Sequence, residues 1–200
     1  MSSTSTTSEL LLAEHACEHL ARHREPRILI GGLGLGFSLK RVLEIVGKGA
    51  VVEVAELVPE VIEWNRKLLD AVNGRLLRDL RVKIIAGDVF ALLRNAKRGS
   101  YNAILLDVDN GPTSFVQTKN SRIYNRRGLV VIRNALDANG RVAFWSADAE
   151  PRFLETLRRA GFEAHEVHAK AHERAKRFAH RIYVGQRLSA SDRDSPRSRN

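Results

Sequence analysis

The chain has 200 residues, 44 % of them hydrophobic and 28 % charged, which fits one globular domain large enough to bury a core, with no second folded domain expected. No run approaches the ~18 apolar residues of a membrane span, and the opening MSSTSTTS lacks the basic start and apolar stretch of a signal peptide. Cys17 is the only cysteine, so no internal disulfide can form; a cytoplasmic protein is expected, and the formal net charge of +10 leaves a polyanionic partner open.

Taken in chain order, residues 1–26 read as an N-terminal segment with one helix, in which Cys17 is a packing residue rather than a nucleophile. His15, His19 and His23 recur at i, i+4 and i+8 and so share one helical face. A solvated face is the simpler reading than a metal pair, and no metal site is assigned. A domain is expected over 27–188 and a disordered tail over 189–200, where SASDRDSPRSRN carries almost no apolar residues.

The domain opens on an apolar strand, 27–31, that runs directly into Gly31, Gly32, Gly34 and Gly36. A strand that ends in spaced glycines and leads into a helix lets the backbone approach a ligand closely, because no Cβ stands in the way. Further β-branched, apolar runs at 51–57, 81–87, 101–108, 141–147, 163–171 and 180–186 complete seven candidate strands. Helical periodicity fills 38–46, 59–72, 90–96, 121–136 and 151–160, with Ser38 a candidate N-cap, Pro59 in a first turn and Gly161 a helix stop.

Repeated βα units predict a doubly wound, mostly parallel sheet, and the last two strands, with no helix between them, predict an antiparallel hairpin at one edge. This arrangement resembles the Rossmann-like methyltransferase fold. In such a sheet the ligand lies beyond the carboxyl ends of the strands at the switch point, so the residues there are the candidate site. They are Gly32, Gly34 and Gly36 after strand one, Glu56 after strand two, Asp88 after strand three, and Asp107 and Asp109 after strand four. A carboxylate at Glu56 can accept hydrogen bonds from both ribose hydroxyls of a nucleoside. A bare strand-to-helix turn is the bland alternative for the glycines, a helix N-cap for Asp88, and a loop hydrogen bond for Asp107 and Asp109.

In order and spacing these segments resemble the spermidine synthase family, the polyamine aminopropyltransferases. Against that family's GGGDGG, V-E-I-D, G-D and D-S-S-D-P segments the chain sets GGLGLG at 31–36, AELVPEVIEWNR at 55–66, GDVFALL at 87–93 and LLDVDNGP at 105–112. The resemblance spans 27 to about 140 and implies an adenosyl sulfonium donor, either S-adenosylmethionine or its decarboxylated form, and a small amine acceptor. It further implies that Glu56 holds the ribose, that Asp88 meets the adenine amino group, and that Asp107 faces the reacting amine. An amine with an ordinary pKa of ~10.4 must lose a proton before it attacks, which makes Asp107 the candidate base and Asp109 the second.

Three positions depart from the family. Gly34 stands where GGGDGG carries its acid, Val58 where E-I-D carries Asp, and Asn110 where the second acid of D-S-S-D-P would fall. The resemblance assigns the loop acid to donor binding, so its absence removes a charge that would repel a donor carboxylate and keeps methyl transfer from intact S-adenosylmethionine open. A non-catalytic nucleoside- or nucleic-acid-binding protein is the third class. Between Lys170 and Arg187 six basic residues (Lys170, Arg174, Lys176, Arg177, Arg181, Arg187) face one acid, Glu173. That cluster can meet nucleic acid, but a solvated hairpin loop is the simpler reading. Trp145, Ser146 and Asp148 can line the acceptor side, although packing is the favoured reading of Trp145, and Phe115, Gln117 and Tyr124 can form a lid; a homodimer is left open.

Overall fold

The structure, a computed structural model, describes residues 7–69, 75–108, 121–170 and 178–188. Helix α1 (Thr7–Cys17) and a 3-10 turn (Glu18–Leu20) precede β1 (Arg27–Gly31), α2 (Phe37–Ile45), β2 (Val51–Glu56), α3 (Pro59–Lys67), β3 (Val82–Ala86), α4 (Val89–Asn95) and β4 (Tyr101–Leu106). Then come α5 (Ser121–Tyr124), α6 (Arg126–Ala135), β5 (Leu136–Ser146), α7 (Pro151–Arg159), β6 (Phe162–Lys170) and β7 (Phe178–Arg187).

The seven strands form one sheet in the order β3-β2-β1-β4-β5-β7-β6. The pairs from β3 to β5 are parallel, while β7 runs antiparallel to both β5 and β6. The doubly wound sheet with a terminal antiparallel pair is therefore as expected, with β7 tucked inside and β6 at the edge. Chain order reverses between β1 and β4, and Gly31 pairs with Ala55 on one side and with Leu106 on the other. The glycine loop is thereby held at the switch point, above the ends of three adjacent strands.

Strands with both faces covered must be apolar on both, and the sequence obeys this. Leu29, Ile104, Leu106, Val142 and Phe144 join the core on one face with residues of α4, α6 and α7. Ile28, Ile30, Ala103, Leu105 and Ala143 join the core on the other face with residues of α1 and α2. Burying a side chain of this size contributes ~1.5–3 kcal/mol. On the first face Tyr124, Phe144, Phe153 and Tyr183 pack edge-on or tilted at centroid distances of 5.0–5.7 Å.

Four local expectations are corrected. Ser38 does not cap α2: the N-cap is Gly36, in the left-handed region at φ 83°, and Ser38 lies inside the helix. The helix expected over 121–136 breaks at Asn125, whose Oδ1 accepts from the Gly128 amide at 3.0 Å and starts α6 afresh. β5 begins earlier than expected, pairing at Leu136, shifting register through a segment that holds Asn139 at φ 64°, and resuming at Arg141. The histidines do not share a helical face, because α1 ends at Cys17 and His19 falls in the 3-10 turn, with His23 beyond it. Gly161 does follow α7, at φ 90°, and Pro59 does sit in the first turn of α3.

Candidate functional site

A cleft of about 350 Å³ opens above the carboxyl ends of β1 to β4, lined by Gly32, Gly34, Glu56, Val58, Asp88 and Asp107 among others. Gly32 and Gly34 adopt φ of 91° and 50°. At Gly32 the absence of a side chain is obligatory, since a Cβ would stand 2.3 Å from the carbonyl oxygen of Asp107. The loop is tied down at both ends. The Gly32 amide donates to the Ala55 carbonyl at 2.9 Å, and the Nδ2 of buried Asn65 on α3 donates to the Gly34 carbonyl at 2.8 Å. Sequence reasoning missed Asn65, which carries no motif and acts only through the turn it holds.

Glu56 is buried at the end of β2. Its Oε2 accepts from the Leu33 amide and its Oε1 from the Val58 amide, each at 2.8 Å. The carboxylate thus closes the glycine loop onto β2, and each oxygen has capacity for a further hydrogen bond. Asp88 caps α4 by accepting from the Phe90 amide at 2.8 Å, and its second oxygen pairs with Arg122 of α5. Arg122 also lies over the Phe90 ring, 5.3 Å from its centroid. Nothing in the spacing of the sequence signals that Arg122 reaches Asp88, because the two are 34 positions apart.

Asp107 follows β4, with its amide donating to the Gly31 carbonyl at 2.9 Å. Burial, and after it the charge of Glu9, pushes its carboxyl up to about 7. A group with that pKa is half ionised at neutral pH and can take or give a proton there. Glu9 comes from α1, outside every segment on which the sequence reading rested. Asp109 lies outside the described residues, as do Asn110, Phe115, Gln117 and, in the basic cluster, Arg174, Lys176 and Arg177.

The remaining candidates divide. Tyr124 is a core residue of the aromatic cluster and not part of a lid. Ser146 is fully buried and its hydroxyl donates to the Asp148 carbonyl at 2.8 Å, which holds a turn. The Trp145 and His180 rings stack 4.9 Å apart, and burial holds the His180 imidazole below its usual range. In the basic cluster Arg181 pairs with Glu166 at 2.8 Å, which offsets its charge within the fold, and Arg187 donates to the Leu136 carbonyl. Cys17 is fully buried, and burial pushes its thiol up. Among the described residues no cluster of metal-ligating side chains occurs, and no helix is long and apolar enough to cross a membrane.

This geometry can be set beside known proteins. Over 147 residues, 69 % of this chain, the sequence is 31 % identical to polyamine aminopropyltransferase 2 of Streptomyces coelicolor. The matched portion of the chain belongs to the spermidine synthase family. The chain spans about a quarter of the length of the curated relatives it matches, 26 % and 22 % for the two of them. No family model matches the chain.

Among solved structures, a spermidine synthase in complex with the transition-state analogue AdoDATO superposes with a TM-score of 0.66 at 16 % identity, covering 92 % of this chain and 59 % of that one. A Burkholderia thailandensis 1,6-didemethyltoxoflavin-N1-methyltransferase superposes with a TM-score of 0.63 at 20 % identity, covering 93 % of this chain and 80 % of that one. At such identities the likeness concerns the fold, which is the methyltransferase-type sheet.

Proposed function

We propose that the chain is an aminopropyltransferase, a cytoplasmic enzyme that moves an aminopropyl group from decarboxylated S-adenosylmethionine to a small amine. The observation that carries this reading is the convergence of Gly32, Gly34, Glu56, Asp88 and Asp107 on a single cleft at the switch point. The kinship of the matched portion to polyamine aminopropyltransferases supports the donor class.

In this reading Gly32, Gly34 and Gly36 bring backbone against the adenosyl moiety, Glu56 accepts from the ribose hydroxyls, and Asp88 meets the adenine amino group. Asp107 holds the acceptor nitrogen, with Asp109 as the second acid. The amine lone pair attacks the methylene next to the sulfonium in line, a C–N bond forms, and the C–S pair returns to sulfur. Methylthioadenosine leaves as a neutral thioether, and the proton shed by the acceptor passes to Asp107. A base near neutral pKa suits that transfer.

Calorimetry of the purified chain with S-adenosylmethionine, its decarboxylated form and methylthioadenosine tests the reading. Binding is expected, and Glu56→Ala is expected to weaken it about tenfold or more, as loss of a charge-assisted contact does. With the decarboxylated donor and putrescine, Asp107→Asn is expected to nearly abolish turnover. Binding of none of the three ligands removes the enzyme reading, and methyl transfer without aminopropyl transfer replaces it with a methyltransferase.

A further inference from the structure

Beside the main cleft lies a second, much smaller recess, lined by Glu9 of α1, by the loop from Leu33 to Gly36, by Phe37 and Ser38 of α2 and by Asp107. Its volume of about 10 Å³ admits one water-sized group. Three oxygen-bearing side chains border it from three different elements. Ser38 is 6 % exposed, and its hydroxyl has no hydrogen-bond partner among the described residues. A buried hydroxyl without a partner costs on the order of 1–3 kcal/mol, so a partner that completes it is favoured. Glu9 accepts from the Ser8 hydroxyl at 2.7 Å through Oε2.

The recess adjoins the donor cleft, since Gly34 and Asp107 line both. A primary ammonium has the size of a water and carries three donors and no acceptor. Two carboxyl groups and a hydroxyl match those three donors, and the pair of acids supplies the compensating charge. Resting on the aminopropyltransferase reading above, we infer that Glu9, Ser38 and Asp107 form an ammonium recess that holds the charged end of the donor's side arm. Glu9 thereby supplies, from the N-terminal helix, a carboxylate over the loop position that Gly34 leaves without one. Glu9 and Asp107 line the same recess, and the charge of Glu9 adds to burial in raising the Asp107 carboxyl. Intact S-adenosylmethionine carries a carboxylate on the carbon that bears its ammonium, so it brings like charge against Glu9 and Asp107.

A competing role is purely architectural. The N-terminus of α2 has no side-chain cap, and Glu9 borders it, so the carboxylate favours that helix end electrostatically. The two roles separate in calorimetry on the full chain, because methylthioadenosine has the adenosyl group and sulfur but no ammonium. Glu9→Gln is expected to weaken the decarboxylated donor about tenfold while leaving methylthioadenosine within about twofold. The same change should narrow the preference for the decarboxylated donor over S-adenosylmethionine, and Ser38→Ala should weaken the decarboxylated donor several-fold with methylthioadenosine again spared.

Equal losses for both ligands, together with a lower melting temperature, make Glu9 a helix-end residue and overturn the inference. Unchanged affinities for both ligands in both variants also overturn it. If Glu9→Gln does not fold, the Ser38→Ala ratio alone decides by the same criterion. Failure of the wild-type chain to bind methylthioadenosine strikes the underlying reading; normal methylthioadenosine binding with no ammonium selectivity strikes only the recess.

Discussion

At Asp107 one proton governs two properties with opposite signs. The folded chain holds this carboxyl at about 7, raised by burial and by Glu9, whereas an unfolded chain holds Asp near 3.9. The fold therefore favours the protonated form. The stability this contributes is complete below pH ~4 and is lost as pH rises through about 7. Turnover by the proposed mechanism needs the ionised form, so activity rises across the same window. Asp107→Asn, which cannot ionise, is expected to melt higher than wild type at pH 8 by about 1–3 kcal/mol of stability, with little difference at pH 4, while losing nearly all activity. Melting curves at the two pH values check the sign; a variant less stable at pH 8 would show the carboxylate to be favourably held. Glu56 and Asp88 differ in kind, because their oxygens already serve the backbone of the loop and of α4. In the sequence, a ligand role and a structural role compete at these positions; in the fold the same atoms lie where both can be served.

The glycine loop is the element on which the site depends, and Gly32 is its tightest point. A Cβ there meets the Asp107 carbonyl at 2.3 Å, and φ is 91°. Gly32→Ala is expected to cost about 2 kcal/mol or more and to push the β4 end away from β1, so that methylthioadenosine binding falls more than the loss of folded protein explains. A melting temperature unchanged from wild type would contradict this packing. The strands were legible because both faces of this sheet are covered, so each strand is an apolar run bounded by turns. Local chemistry was less legible. The 121–136 periodicity continues straight through Asn125, yet a side-chain cap restarts the helix there. Ser38 has the composition of a cap, but the left-handed Gly36 takes that place and leaves the serine facing a recess. Glu9 was not legible at all as a site residue. It sits in a helix that carries neither a motif nor a clear amphipathic pattern, and only the packing of α1 on the second face brings it beside Asp107.

At the scale of the whole molecule, the charge of +10 opposes a cationic acceptor while the acids of the cleft attract it. The two effects have different ranges. Salt screens the distant surface charges first, because the Debye length falls from ~30 Å at 0.01 M to ~8 Å at 0.15 M, whereas a carboxylate in contact with the amine is screened much less. Glu56, Asp88, Asp107 and the neighbouring Glu9 all lie within the cleft and its side recess, so the attraction is short-ranged. For a diamine acceptor, kcat/KM is therefore expected to rise about two- to fivefold as ionic strength goes from 0.01 to 0.15 M, with kcat nearly constant. Most positively charged binding proteins show the reverse with a polyanion, whose affinity falls steeply with salt. Steady-state rates across that salt range check the expectation for the diamine. A kcat/KM that falls with salt would place the local acids, and not the surface charge, in control of encounter.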